Sequence, residues 1–418
     1  MRAPLTLVIA LSVVGCSSGP RGNEGSGGGP SAALPVQDAG GANKTGGSDG
    51  GGGFGGGGSA GVGGGSAGVG GGSTGGGGGS AVGGGSGGAG GSTNVGPTDA
   101  GGAGGGSVVV DAGQGGVVGP DGGVASDGGF ALRFVAMGDV GRGDQGQFDV
   151  AAGIVTWCAT HVCEFAVLLG DNIYDTGVSG PNDPIWQTNF ELPYAAVNMP
   201  FYALLGNHDY GGQGTGNEFN KGQFEVDYSA ISTKWRMPAT HYKLHRPGVD
   251  LFVANTNLSM YGLDSTVKQD FSSWLPQSNA KWKIALGHHP YRSNGPHGNA
   301  GNYEGLSFIP ITNGSGVKSF LDNRVCGKAD VYLSGHDHSN QWLTSRCGVS
   351  TNNPGTELIV AGAGSSATSL ITSGGEFNPN HFQTLDLGFI YVEIVNNTFT
   401  GTFVGTTGNV LYTRTFTK

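Results

Sequence analysis

The chain has 418 residues, 88 of them glycine, and a formal net charge of −10. No Lys/Arg cluster stands out, which argues against a nucleic-acid partner, because such a partner needs a basic footprint. Most of the glycines precede Phe130. The folded part is therefore expected to be one domain over 130–418, although length alone allows two.

Arg2 precedes an apolar run over 5–14. The run is too short to span a bilayer and has the shape of a signal-peptide hydrophobic region. It ends in Val13-Val14-Gly15-Cys16, then Ser17-Ser18, which resembles a bacterial lipobox. The resemblance implies a lipoprotein signal peptide over 1–16 and a lipid on Cys16. That lipid would anchor an exported chain to a membrane, at an outer membrane or the cell surface. An ordinary secretory signal with an incidental Cys16 is the alternative, and it exports the chain equally. Residues 17–129 read as a disordered linker. Gly, Ser and Ala with one aromatic, Phe54, cannot bury enough apolar surface to offset the ordering entropy. The heptapeptide that starts at Gly61 begins again at Gly68 with nothing that could form a core, so it is low complexity and not a solenoid. A flexible Gly/Ser chain of this length spans roughly 60 Å.

From Phe130 the texture changes. Apolar runs rich in Val, Ile and Phe at 132–137, 165–169, 201–205, 284–286 and 331–333 suit buried strands. Between the first two, Phe148, Ala151, Ala152, Val155 and Cys158 recur at helical spacing. Strands alternating with helices predict an α/β layered domain. Pro and Gly between Ser293 and Asn313 indicate a long irregular loop. Runs at 358–361, 389–394, 398–404 and 410–416 read as strands, with Asn396-Asn397 as a hairpin turn, so one segment is antiparallel. Apart from Cys16 the cysteines are Cys158, Cys163, Cys326 and Cys347. An even set in an exported chain favours disulfides. Of three connectivities, Cys158–Cys163 with Cys326–Cys347 is the favoured one; buried free thiols are the alternative. No C-x-x-C pair supports a zinc site.

Each of the first five strand runs ends in Gly and then a metal-capable residue: Gly138-Asp139, Gly170-Asp171, Gly206-Asn207, Gly287-His288 and Gly335-His336. Gly lets the chain approach a ligand closely, and strand ends are where open α/β sheets gather ligands. His208, His289, His297 and His338 lie in or beside the same segments. Asp, Asn, His and Tyr are hard oxygen and imidazole donors that suit Fe, Zn or Mn and not a soft thiolate site. The donors outnumber what one ion can use, which points to two ions sharing a bridging carboxylate.

Gly138-Asp139-Val140-Gly141, Gly170-Asp171-Asn172-Ile173-Tyr174, Gly206-Asn207-His208-Asp209, Gly287-His288-His289-Pro290 and Gly335-His336-Asp337-His338 resemble the ordered motifs of calcineurin-like metallophosphoesterases. A Tyr three residues after the second Asp marks the purple acid phosphatase branch. No fibronectin-like N-terminal domain fits in the Gly-rich region, so the resemblance is to the small, tartrate-resistant type. It implies a four-layer α/β/β/α sandwich with the metals at strand C-termini. It implies that Asp139, Tyr174 and His338 hold Fe(III), that Asn207, His288 and His336 hold a divalent Fe, Zn or Mn, and that Asp171 bridges them. His208 and His297 would act as proton donors or phosphate contacts, with Asp209 orienting His208.

The same resemblance implies an acid phosphatase that hydrolyses small phosphomonoesters with metal-bound hydroxide; with the signal segment it is expected to be exported, and it is expected to be a monomer. The alternatives are a metal-dependent phosphodiesterase and a non-catalytic surface-binding protein built on a decayed phosphatase. His289 stands where animal members carry Tyr and is expected to be a pocket or structural residue. Val140 stands where many relatives have Trp. Arg292 and Asn294 are further candidates for substrate contact, Asp337 is expected to be solvated, and His161, His241, His245 and His381 are read as structural or exposed.

Overall fold

The computed structural model describes residues 108–111, 129–309 and 311–418. The signal segment, Cys16 and most of the Gly-rich stretch lie outside the described residues. The strands are β1 (Val108–Asp111), β2 (Ala131–Met137), β3 (Phe165–Leu168), β4 (Phe201–Ala203), β5 (Trp235–Arg236), β6 (Tyr242–Arg246), β7 (Val249–Val253) and β8 (Trp282–Leu286). They continue as β9 (Val331–Ser334), β10 (Asn340–Leu343), β11 (Glu357–Ala361), β12 (Asn380–Thr384), β13 (Gly388–Val395), β14 (Thr398–Gly405) and β15 (Val410–Thr417). One sheet has the order β1-β6-β7-β8-β9-β11-β10-β12 and the other β15-β14-β13-β2-β3-β4-β5. The helices are α1 (Gln145–Cys158), α2 (Lys221–Tyr228), α3 (Thr256–Met260), α4 (Ser265–Gln277) and α5 (Ser315–Arg324).

Side chains alternate across a strand, and that alternation builds the layers. On β8 and β9, Trp282, Ile284, Leu286, Val331 and Leu333 join a core that also contains Phe134, Phe165 and Phe399 of the other sheet. Ring centroids of Trp282 and Trp342 lie 5.8 and 6.2 Å from that of Phe399, so the sheets pack face to face. Ala285 and Tyr332 turn to the opposite side and pack with Phe271 and Trp274 of α4 and Phe320 of α5. On the outer side of the second sheet, Trp157 of α1 meets Tyr391 of β13 at 5.5 Å. The result is the expected α/β/β/α sandwich.

Helix α1 forms where its spacing predicts, but a different face is buried. Val150, Ala151, Ile154 and Trp157 are buried, whereas Phe148 and Val155 are each 39% exposed. The bulk of Trp157 and Ile154 decides the rotation; a fully buried side chain of this kind contributes about 1.5–3 kcal/mol. Strand β1 lies inside the stretch read as linker. Its Val108-Val109-Val110 run is β-branched and adds parallel to the β6 edge, with Val108 opposite Tyr242.

The β13–β14 hairpin turns at Asn396, whose φ of 51° is a left-handed conformation that Asn tolerates. Cys158–Cys163 and Cys326–Cys347 are both disulfides. The first ties the end of α1 to the approach to β3; the second ties the end of α5 to the loop after β10. Strands β2, β3 and β4 are mutually parallel, as are β8 and β9. Their C-terminal ends therefore meet at one end of the sandwich. Among the described residues no helix is long and apolar enough to cross a membrane.

Candidate metal centre

The five Gly-led junctions abut. A Cβ on Gly206 would fall 2.2 Å from Asp171 Oδ1, and one on Gly335 would fall 2.6 Å from Asp139 Oδ2. The carboxylates fill the space that any larger residue would need. Asp139, Asp171 and His336 have φ of 60°, 53° and 70°. For non-glycine residues this costs on the order of 1–2 kcal/mol each. Hydrogen bonds between junctions hold them there: His336 N donates to Asp139 Oδ2 at 2.8 Å, and His208 N donates to Asp171 Oδ1 at 2.9 Å.

The side chains gather into two groups that share one carboxylate. Tyr174 Oη lies 3.2 Å from Asp139 Oδ1, 3.0 Å from Asp171 Oδ2 and 3.0 Å from His338 Nε2. His288 Nε2 lies 3.4 Å from the same Asp171 Oδ2, 3.0 Å from Asn207 Oδ1 and 3.1 Å from His336 Nδ1. Ligand atoms of Asp171, His288 and His336 all lie within 4.8 Å of one another. The seven residues named from the motifs are thus brought together, in the two sets in which they were grouped.

Buried acids and bases without enough counter-charge have displaced titrations, and these do. Burial, with Asp171 beside it, pushes Asp139 well above the carboxylate range. Burial and then Asp171 and Asp139 push the Tyr174 hydroxyl well above its usual value. Burial lowers His338 to about 3, with the nearby Arg142 charge adding to the effect. Burial and the neighbouring His297, His289 and His288 hold His336 well below normal. Burial works against a charged His288, but the Asp171 carboxylate overrides it and raises the ring to about 9. Lone-pair donors crowd here without the positive charge to satisfy them, which is the environment a bound cation inverts. Carboxylate, phenol, amide and imidazole donors fit hard or borderline cations.

The supporting contacts were not all legible. His288 Nδ1 bonds to Leu169 O at 2.9 Å and His338 Nδ1 to Ser366 Oγ at 3.0 Å, which leaves each Nε2 facing the centre. Ser365 Oγ donates to Asp139 O at 2.6 Å. Nothing in the sequence links the Ser365-Ser366 segment to the motifs; the contact arises because the chain after β11 returns alongside β2. Arg142 was also missed. Its guanidinium lies over the Tyr174 ring, 4.1 Å from the centroid.

His208 and His297 border the group. The His208 ring is 4.4 Å from that of Tyr174, and its Nδ1 bonds to Asp175 O at 2.7 Å. Asp209 therefore does not orient His208. It is buried and accepts from Asn172 N, Ile173 N and Gly206 N at 2.7, 3.1 and 2.8 Å, so it clamps the backbone of two junctions. The His297 ring stacks on His336 at 4.2 Å and bonds through Nδ1 to Glu304, which holds His297 at about 9 despite burial.

His289 is buried, bonds to Thr256 Oγ1 at 2.9 Å and serves as packing. Asp337, expected to be solvated, is fully buried and accepts from His297 N at 2.9 Å, because the loop before His297 folds over it. Asn294 is likewise buried, tied to Asn378 and Gln383, and Arg292 lies exposed beside Tyr291; neither belongs to the group. His161 stacks on Trp157, and His241 and His245 pair with Asp270 and Asp250, all away from the centre.

The sequence model described as calcineurin-like phosphoesterase matches residues 132–340. The chain belongs to this family. Among curated relatives, purple acid phosphatase 4 of Arabidopsis thaliana is 26% identical over 304 residues, covering 68% of this chain and 82% of its own. Tartrate-resistant acid phosphatase type 5 of Homo sapiens is 27% identical over 325 residues, covering 68% and 90%. The solved structure of GAP50, the anchor in the inner membrane complex of Plasmodium, shares the calcineurin-like phosphoesterase fold. It superposes with a TM-score of 0.53 at 24% identity, covering 69% of this chain and 89% of that one.

Proposed function

We propose that the chain is an exported acid phosphatase that hydrolyses small phosphomonoesters at a dinuclear metal centre. The observation that carries this reading is Asp171 Oδ2, which stands 3.0 Å from Tyr174 Oη in one donor group and 3.4 Å from His288 Nε2 in the other. A carboxylate oxygen shared in this way suits a bridge between two ions. Asp139, Tyr174 and His338 would hold the first, Fe(III), and Asn207, His288 and His336 the second, a divalent Fe, Zn or Mn. Such ions, when bound, polarise a phosphoryl group and acidify water.

The chain's own groups supply the rest. His208, with its Nδ1–H given to Asp175 O, is the candidate proton source for the leaving oxygen when the ring is an imidazolium, which carries a second N–H on Nε2. His297, held protonated up to about 9 by Glu304 and Asp337, carries a positive charge for a phosphoryl oxygen in acidic or neutral medium. The names of the curated relatives, acid phosphatases, support the same activity. Export through residues 1–16, a lipid on Cys16 and a tether over the Gly-rich stretch that ends where β1 begins complete the reading.

Metal analysis with a visible spectrum of the purified protein, alongside hydrolysis of p-nitrophenyl phosphate and its bis ester, tests it. Iron, a purple colour and preference for the monoester are the expected results. Two divalent ions with no iron and preference for the bis ester would return the protein to a phosphodiesterase.

A further inference from the structure

Arg142 sits between Gly141 and Gly143 in a turn locked on both sides. Tyr174 N and Asn189 Nδ2 both donate to Gly141 O, at 2.8 and 2.7 Å, and Gly143 N donates to Gln147 Oε1 at 2.7 Å. A Cβ on Gly141 would fall 1.7 Å from Asn172 O, so the turn has no room to shift. This mount holds the part-exposed guanidinium over the Tyr174 ring, 4.1 Å from its centroid. Its charge bears on both Tyr174 and His338.

Contact with an aromatic ring satisfies the face of a guanidinium but none of its in-plane N–H donors. Arg142 Nε is buried without a hydrogen-bond partner, and among the described residues no carboxylate pairs with the group. That buried Nε is closed to a ligand, but Arg142 is only part-buried and its two Nη groups make no hydrogen bond among the described residues. Packing on Tyr174 alone leaves those outward donors without an acceptor. An anion with two oxygens in one plane supplies it, since the guanidinium fork matches phosphate bidentately.

We propose that Arg142 is a specificity-determining residue whose guanidinium holds a phosphoryl oxygen of the substrate from the Tyr174 side of the centre. This rests on the phosphatase reading and adds a contact outside the motifs. It also assigns the chain a preference for phosphoryl groups over less charged esters.

The test is titration of the metal-loaded protein with inorganic phosphate, followed by calorimetry, for wild type, Arg142→Met and Arg142→Lys. Metal content and circular dichroism are matched beforehand. Arg142→Met should weaken phosphate about tenfold, and KM for p-nitrophenyl phosphate should rise in step while kcat changes less. Arg142→Lys keeps the charge without the fork and should fall between. Unchanged phosphate affinity in Arg142→Met overturns the proposal; if that variant does not fold, unchanged affinity in Arg142→Lys does so. A wild type that hydrolyses no phosphate ester sinks the phosphatase reading itself, whereas an active wild type with indifferent variants sinks only the role of Arg142.

Discussion

Tyr174 Oη and His338 Nε2 stand 3.0 Å apart although 164 positions separate them in sequence. Tyr174 follows β3 of one sheet and His338 follows β9 of the other. The contact depends on a hydroxyl, so Tyr174→Phe removes it with little change in volume. That variant should fold with a melting temperature within about 5 °C of wild type. It should lose iron, lose visible absorbance and lose at least about tenfold in turnover. Metal analysis and absorbance read the first two, and p-nitrophenyl phosphate the third. Full colour in Tyr174→Phe would falsify its role as a ligand.

Asp171→Asn should do more damage, because the shared Oδ2 faces both donor groups. Occupancy of both ions should fall together and activity should drop by on the order of a hundredfold or more. Retention of one full equivalent of metal would show that the two groups do not depend on a common oxygen.

Asp209→Ala should act on the fold. Three backbone N–H groups lose their acceptor in a buried place, at a cost of about 3–5 kcal/mol, or roughly 10 °C in melting temperature. Asp209→Asn keeps one acceptor oxygen and should lose less. A melt unchanged in Asp209→Ala would mean the clamp is dispensable.

Without metal, stability should peak near neutral pH. His288 is raised to about 9, so its contribution is fully present below about 6.5 and is lost as pH rises through 9. His338 is lowered to about 3, so its contribution is present above about 6.5 and is lost as pH falls toward 3. Asp139, which burial favours in its protonated form, offsets part of the acid-side loss. Thermal melts of chelator-treated protein between pH 4 and 10 check this. Melting temperatures that climb steadily across that range would contradict the His288–Asp171 pairing.

The two disulfides should differ in weight. Cys326–Cys347 closes 21 positions of chain and Cys158–Cys163 closes 5. Loop closure then gives about 3 and about 2 kcal/mol. Paired Cys→Ser variants should rank in that order by chemical denaturation. The reverse order would point to native-state strain instead.

Five of the seven donors were readable because each follows a Gly at the end of an apolar run, and Tyr174 and His338 because they lie three and two residues beyond two of those five. Supports such as Ser366 and Leu169 O were not readable, since they reach the centre through sheet packing between distant segments. Asp209 misled for a related reason. Its adjacency to His208 suggested a partner, yet the turn sends its carboxylate inward to three backbone amides. The helix at 145–158 was legible as a helix, but its buried face was not, because Phe148 and Val155 are as apolar as Ile154 and only tertiary contact with β13 and β14 chooses between them. Strand β1 was hidden by its glycine-rich surroundings; three valines pair only because β6 offers an open edge.

The proposed ligands are divided between the two halves of the sandwich. Asp139, Asp171, Tyr174 and Asn207 follow β2, β3 and β4, while His288, His336 and His338 follow β8 and β9 of the facing sheet. Ions held by this set would act as rivets through the seam, since parting the sheets would mean releasing them. Loaded protein would then open as one cooperative unit, stabilised according to metal concentration, whereas stripped protein would begin to gape at that end. Metal starvation would reach such a molecule as accelerated proteolysis at that end.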